Sequence, residues 1–106
     1  MENENLRRCI EACQACVTGC NMCLSNSLGM PEMKECARLC LDCADICTLC
    51  ADYCARNSSY MNAVAKICAD VCDACASECQ KHDNEHCKHC AETCRKCAEL
   101  CHQMAA

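Results

Sequence analysis

Residues 36–54 read CARLCLDCADICTLCADYC, with cysteines at Cys36, Cys40, Cys43, Cys47, Cys50 and Cys54. Their steps of 4, 3, 4, 3 and 4 are those of the buried seam of a helix, because residues three and four apart return to one face. The same steps connect Cys9, Cys13, Cys16, Cys20 and Cys23, then Cys68, Cys72, Cys75 and Cys79, then Cys87, Cys90, Cys94, Cys97 and Cys101. All twenty cysteines of the chain lie on these four seams. The two-residue period of a strand is not met among them. The sequence therefore predicts four helices and an all-α fold.

Punctuation between the seams sets the topology. The first helix is expected over about 5–26, with Gly29 as a left-handed cap and Pro31 in the first turn of the second. The second should reach about Arg56, where Asn57, Ser58 and Ser59 supply a stop and the N-cap of the third. The third should end near His82, with Asp83 capping a fourth helix that runs to about Met104. Three short connections make sequential helices antiparallel. The expected architecture is an up-down-up-down four-helix bundle formed as one domain over residues 1–106.

Such a bundle has an unusual core. Leu, Ile, Val and Phe together number only 13 of 106 residues, a fraction that by itself would suggest disorder. The chain folds only if cysteine serves as its small buried hydrophobe. Cysteine fills less volume than leucine, so helices ~8–10 Å apart would leave the lumen thinly filled, at a cavity cost, unless something occupies it. Ile10, Val17 and Leu24 follow a cysteine by one residue, and Leu39, Ile46 and Tyr53 precede one. These repeat by seven and flank the seams, as expected for helix packing or for contact with a second bundle.

Composition excludes several functions. Ten basic residues against fifteen acidic ones leave no basic stripe for nucleic acid, and Tyr53 and Tyr60 are the chain's only aromatic residues. There is no run of about eighteen apolar residues and no apolar stretch before the first cysteine, so a soluble chain made without an export signal, resident in the cytoplasm, is expected. In a reducing cytosol, cysteine density points to metal rather than to disulfides. A disulfide-stapled structural bundle is the weaker alternative, since cysteines stacked along one helix do not present Cβ vectors suited to a bond. No βαβ pattern accompanies Cys13 and Cys16, which argues against a thiol redox enzyme. No Ser/His/Asp or paired-carboxylate constellation stands out, and no enzyme is expected. Nothing distinguishes four cysteines from the other sixteen, as one iron–sulfur cluster would require.

Cysteines three and four apart place their Cβ atoms about 5–6 Å apart on one face, so two thiolates can grip one ion. Soft thiolates select Cu(I), zinc or iron–sulfur clusters. A four-cysteine zinc site retains two negative charges, and twenty thiolates would stack about five such sites in a low-dielectric lumen. Cu(I) avoids this, because an ion held by two thiolates, each bridging two ions, reaches one metal per sulfur and neutrality. On the order of twenty Cu(I) ions could then be held; a zinc or cadmium thiolate store is the alternative.

The repeated CxxxC units Cys9–Cys13, Cys16–Cys20, Cys36–Cys40, Cys43–Cys47, Cys50–Cys54, Cys68–Cys72, Cys75–Cys79, Cys90–Cys94 and Cys97–Cys101, with HDNEHCKHC at the third turn, cover essentially the whole chain. In this pattern the chain resembles the bacterial copper storage proteins, cysteine-lined four-helix bundles. The resemblance implies reversible storage of many Cu(I) ions, a part in copper homeostasis, assembly as a homo-oligomer, specifically a homotetramer, and membership of a cytosolic branch. Copper donor or acceptor proteins, or small thiols, are the implied partners. It also implies that copper passes through a mouth lined by His and Met. Met22, Met30, Met33, His82, His86 and His89 gather at one end, and of these Met33, His82 and His86 join the twenty cysteines as candidate metal residues. Met33 and His82 continue the cysteine register, three residues before Cys36 and three after Cys79. His89 and His102 lie off the seam and are expected on the surface. The third helix has only four cysteines, so the column should stop short at the opposite end, closed by Met61 and Met104.

Overall fold

In the computed structural model, which describes residues 3–105, the four seams become four α-helices: α1 (Asn3–Ser27), α2 (Lys34–Ala55), α3 (Met61–Cys79) and α4 (Glu85–Ala105). Each packs on its chain neighbours and α1 closes the ring against α4. The bundle is antiparallel, as short turns require. It measures 44 × 18 × 17 Å along its principal axes. Among the described residues no helix is long and apolar enough to cross a membrane.

The narrow cross-section follows from the side chains at the seams. All twenty cysteines are buried, and beside them lies a second stripe, Ala12, Ala44, Ala51, Ala69, Ala76, Ala91 and Ala98, that is also buried, as is Ala65 on the α3 seam itself. Small residues at both positions let the helices close until the sulfurs touch. The expected thinly filled lumen is thus a correction: neighbouring sulfurs from different helices stand 3.5 Å apart at Cys16–Cys43 and at Cys16–Cys94. Gly19 on α1 marks a close approach, since a Cβ there would lie 2.9 Å from Thr93 Oγ1 on α4. Ile10, Val17, Leu24, Leu39 and Ile46 pack against the cysteine core from its edges. Tyr53 is partly buried and instead receives the Arg56 guanidinium over its ring, at 5.2 Å.

The turns differ in detail from expectation. Gly29 does adopt the left-handed conformation (φ 79°). Pro31 lies in a separate 3₁₀ turn, Pro31–Met33, that leads into α2. The α2 terminus is a Schellman motif on Asn57 (φ 52°), whose N–H donates to the Cys54 carbonyl while the Ser58 N–H donates to that of Tyr53. Ser59 does not cap α3; Tyr60 holds that position and its N–H donates to Ser58 Oγ. α3 ends at Cys79, three residues earlier than expected, because Lys81 and His82 close tighter bonds onto the Glu78 and Cys79 carbonyls. Asn84 rather than Asp83 immediately precedes α4, its carbonyl accepting the Lys88 N–H, while Asp83 pairs with Lys88 Nζ at 3.1 Å.

Two outcomes test this packing. Circular dichroism of the metal-free, reduced protein is expected to show a helical spectrum that changes little on metal addition, because caps, turns and seams already agree; a coil that becomes helical only with metal would contradict it. Gly19→Leu should force α1 from α4 and lower unfolding stability by about 1–3 kcal/mol in a denaturant titration, the usual range for overpacking. An unchanged midpoint would mean that the close approach is not a constraint.

Candidate metal centre

The cysteines form a continuous column rather than separate clusters. At one end Cys23 contacts Cys36 at 3.7 Å and Cys87 at 3.8 Å, and Cys36 contacts Cys79 at 3.6 Å. Midway, Cys43 contacts Cys72 at 3.6 Å and Cys94 at 3.8 Å, and Cys47 contacts Cys68 at 3.7 Å and Cys97 at 3.8 Å. At the far end Cys9 meets Cys101 at 3.8 Å. All twenty thiols are free of disulfides. A soft ion with metal–sulfur bonds of ~2.3 Å spans sulfurs roughly 3.8–4.6 Å apart, from tetrahedral through trigonal to linear coordination. The column is therefore near the required spacing before any ion arrives.

Sharing of sulfurs decides between discrete and bridged occupation. Cys16, Cys43, Cys47 and Cys72 form one four-sulfur group with all atoms within 4.8 Å of one another, and Cys16, Cys20, Cys43 and Cys94 form another. Likewise Cys13 and Cys101 belong both to a group with Cys9 and Cys50 and to one with Cys68 and Cys97. Closed tetrahedral sites in adjacent groups would compete for the same ligands. Ions bridged by shared thiolates would not.

Burial disfavours ionisation along the column, and hydrogen bonds between sulfurs divide it. Cys16 is pulled below the ordinary thiol value chiefly by Cys20, whose own thiol is pushed up by the same contact. Cys13 is brought down to about 7, first by Cys101. Desolvation pushes the Cys87 thiol up. A metal ion binding to these sulfurs must displace the protons of the thiols it meets.

The two ends differ. Met33 is buried one helical turn before Cys36. His86 Nδ1 lies 3.5 Å from Cys87 Sγ, and Asn84 Nδ2 lies 4.0 Å from the same sulfur. His82, in the turn beyond α3, has a side chain 18% exposed and is held through Nε2 by Glu78 Oε2 at 3.1 Å. That bond fixes Nε2 as a donor when the ring is neutral and leaves Nδ1 as the available metal-binding nitrogen. Met30 packs against the core, but Met22 is 54% exposed and lies outside it. His89 is exposed, and His102 pairs with Asp73 at 2.8 Å, so both are surface residues as the sequence suggests. At the opposite end Leu6, Met61, Val64 and Met104 pack partly buried against the core. Sequence reasoning missed Glu78 and Asn84, which carry no seam signal; their role emerges only when the third turn is folded.

The family model for copper storage proteins, Csp, matches residues 2–106. The chain belongs to the copper storage protein family. Among solved structures it is similar to the Cu(I)-bound copper storage protein BsCsp3, with 42% identity over 96% of this chain and 99% of that one and a TM-score of 0.92. It is similar to apo copper storage protein 3 from Bacillus subtilis, with 44% identity, 94% and 98% of the chains covered and a TM-score of 0.90. It also resembles the cytosolic copper storage protein of Streptomyces lividans in a structure with five coppers, with 39% identity, 96% and 92% coverage and a TM-score of 0.91. No match was found among curated proteins.

Because protons and metal compete for the same sulfurs, Cu(I) retention should weaken as pH falls from about 8 to about 5, and loading should release protons. Competition with a Cu(I) chelator across that range, with proton release followed by pH-stat, is the measurement. Affinity independent of pH, with no protons released, would exclude thiolate ligation.

Proposed function

We propose that this protein stores Cu(I) reversibly in its sulfur column, as a member of a family with Cu(I)-bound relatives. The observation that carries this reading is the sharing of Cys13, Cys16, Cys20, Cys43 and Cys101 between neighbouring four-sulfur groups. Shared thiolates hold monovalent ions at one per sulfur without net charge, whereas four-thiolate zinc sites would each leave two negative charges in the lumen. Copper here is cargo, and the role is sequestration rather than catalysis. The whole chain, 1–106, is read as one storage unit.

The Met33, His82 and His86 end is assigned as the mouth, and the Met61 and Met104 end as closed. His86 stands beside the outermost α4 sulfur, and neutral imidazole and thioether hold Cu(I) less firmly than a bridging thiolate pair, as transfer requires. The cytoplasm is the assigned compartment, supported by the Streptomyces lividans relative described as cytosolic. A homotetramer is the proposed assembly; the exposed Leu41, Leu49 and Ile67 on α2 and α3 are available for contact between copies.

Titration of the reduced protein against a strong Cu(I) chelator should saturate on the order of one ion per cysteine. Saturation at four to six ions would instead mean discrete sites of the kind zinc prefers. Replacing Met33, His82 and His86 with Ala should slow Cu(I) uptake and release in stopped flow without altering capacity, while Met61→Ala with Met104→Ala should leave the rates unchanged. The reverse pattern would exchange the two ends.

A further inference from the structure

Next to the mouth, α4 and the turn that precedes it border an open groove of about 530 Å³. Lys81, Lys88 and Arg95 line it against Asp83 and Glu92, three positive charges to two negative, in a chain whose net charge is −5. Lys88 and Arg95 are seven residues apart on α4 and so share one face. Lys81 is paired with Glu78 at 3.2 Å and Lys88 with Asp83 at 3.1 Å. Arg95 makes no ion pair among the described residues; its Nη2 donates to Gln80 Oε1 at 2.5 Å, which holds the guanidinium across the α3–α4 junction. The remaining donors of that fork suit a carboxylate. His82 lines the same groove, so the Arg95 guanidinium and a soft-metal ligand border one space.

Building the sulfur column needs none of these cations. We propose that the groove docks a carboxylate-bearing low-molecular-weight thiol that carries Cu(I) to and from the mouth. The proposal rests on the storage reading. A soft ion travels on thiolates, and a two-thiolate Cu(I) complex is an anion to which the carrier's carboxylates add further charge. Arg95 and Lys88 complement that charge, and the groove volume is in the range of small-molecule sites. Transfer is a ligand exchange in which copper stays Cu(I): [Cu(SR)₂]⁻ and two cysteine thiols give a copper bis-cysteinate anion and two RSH. Each leaving carrier thiolate takes the proton that the receiving cysteine gives up. Cys23 and Cys87, buried and 3.8 Å apart at the mouth end of the column, are the receiving pair of this exchange.

The test compares two donors, Cu(I)–glutathione and Cu(I)–2-mercaptoethanol, whose organic parts differ in charge. With the K88Q/R95Q variant at low ionic strength, uptake from Cu(I)–glutathione should slow about tenfold, as lost electrostatic steering implies, and uptake from Cu(I)–2-mercaptoethanol, whose complex carries only the single charge of its two-thiolate centre, should slow far less. Excess S-methylglutathione, which has no thiol, should slow uptake from Cu(I)–glutathione by the unsubstituted protein and have no such effect on the variant. Equal slowing with both donors, or no slowing with either, would overturn the docking site. Copper capacity is measured in the same samples: capacity of the unsubstituted protein limited to a few ions would overturn the storage reading itself, and this inference with it.

Discussion

Sulfur touching sulfur across four helices is the interaction on which the rest of this structure depends. Cys16 alone approaches Cys43 and Cys94 at 3.5 Å and Cys20 at 4.0 Å, so sulfurs of α1, α2 and α4 converge at one level of the bundle. That convergence needs narrow neighbours, which explains the buried alanine stripe and Gly19 facing Thr93. It also needs helices held in register by short turns. A core of leucine at the same positions would have been more hydrophobic and would have pushed the sulfurs out of reach of one another. The sequence gives up apolar volume in return for ligands.

The same geometry restricts the cargo. Divalent ions in four-thiolate sites would concentrate negative charge in a dry lumen, where repulsion is poorly screened and desolvation is costly. Monovalent ions on shared thiolates remove the charge of each sulfur they bind. The overlap of the four-sulfur groups at Cys13, Cys16, Cys20, Cys43 and Cys101 supplies that sharing. Asymmetry along the axis then gives the column a direction. Polar ligands and an ionic groove gather where α3 turns into α4, whereas Ala65 occupies the α3 seam one turn before Cys68 at the opposite end, with Leu6, Met61, Val64 and Met104 packed around it.

Most of the fold was legible because the seam residues are chemically distinctive: a 4, 3 alternation of cysteines admits one helical face and no strand. The helix termini were less so. Asp83 has the chemistry of an N-cap, yet it pairs with Lys88, and the carbonyl of Asn84 accepts the first helical bond, from the Lys88 N–H. The column itself was readable, but its tightness was not, because the alanines beside the cysteines carry no strong signal in composition and determine how closely the backbones approach. Met22 illustrates the limit at the mouth: it precedes a seam cysteine in sequence but points to solvent. Glu78 holds His82 from one turn away, a relation that spacing alone does not reveal as functional.

X-ray absorption at the copper edge of the fully loaded protein tests the bridged-thiolate column most directly. A first shell dominated by sulfur at roughly 2.3 Å, the distance expected of metal–thiolate bonds, together with a strong short copper–copper scattering path, is the predicted result. A first shell dominated by nitrogen or oxygen, or sulfur ligation with no copper–copper path, would contradict it.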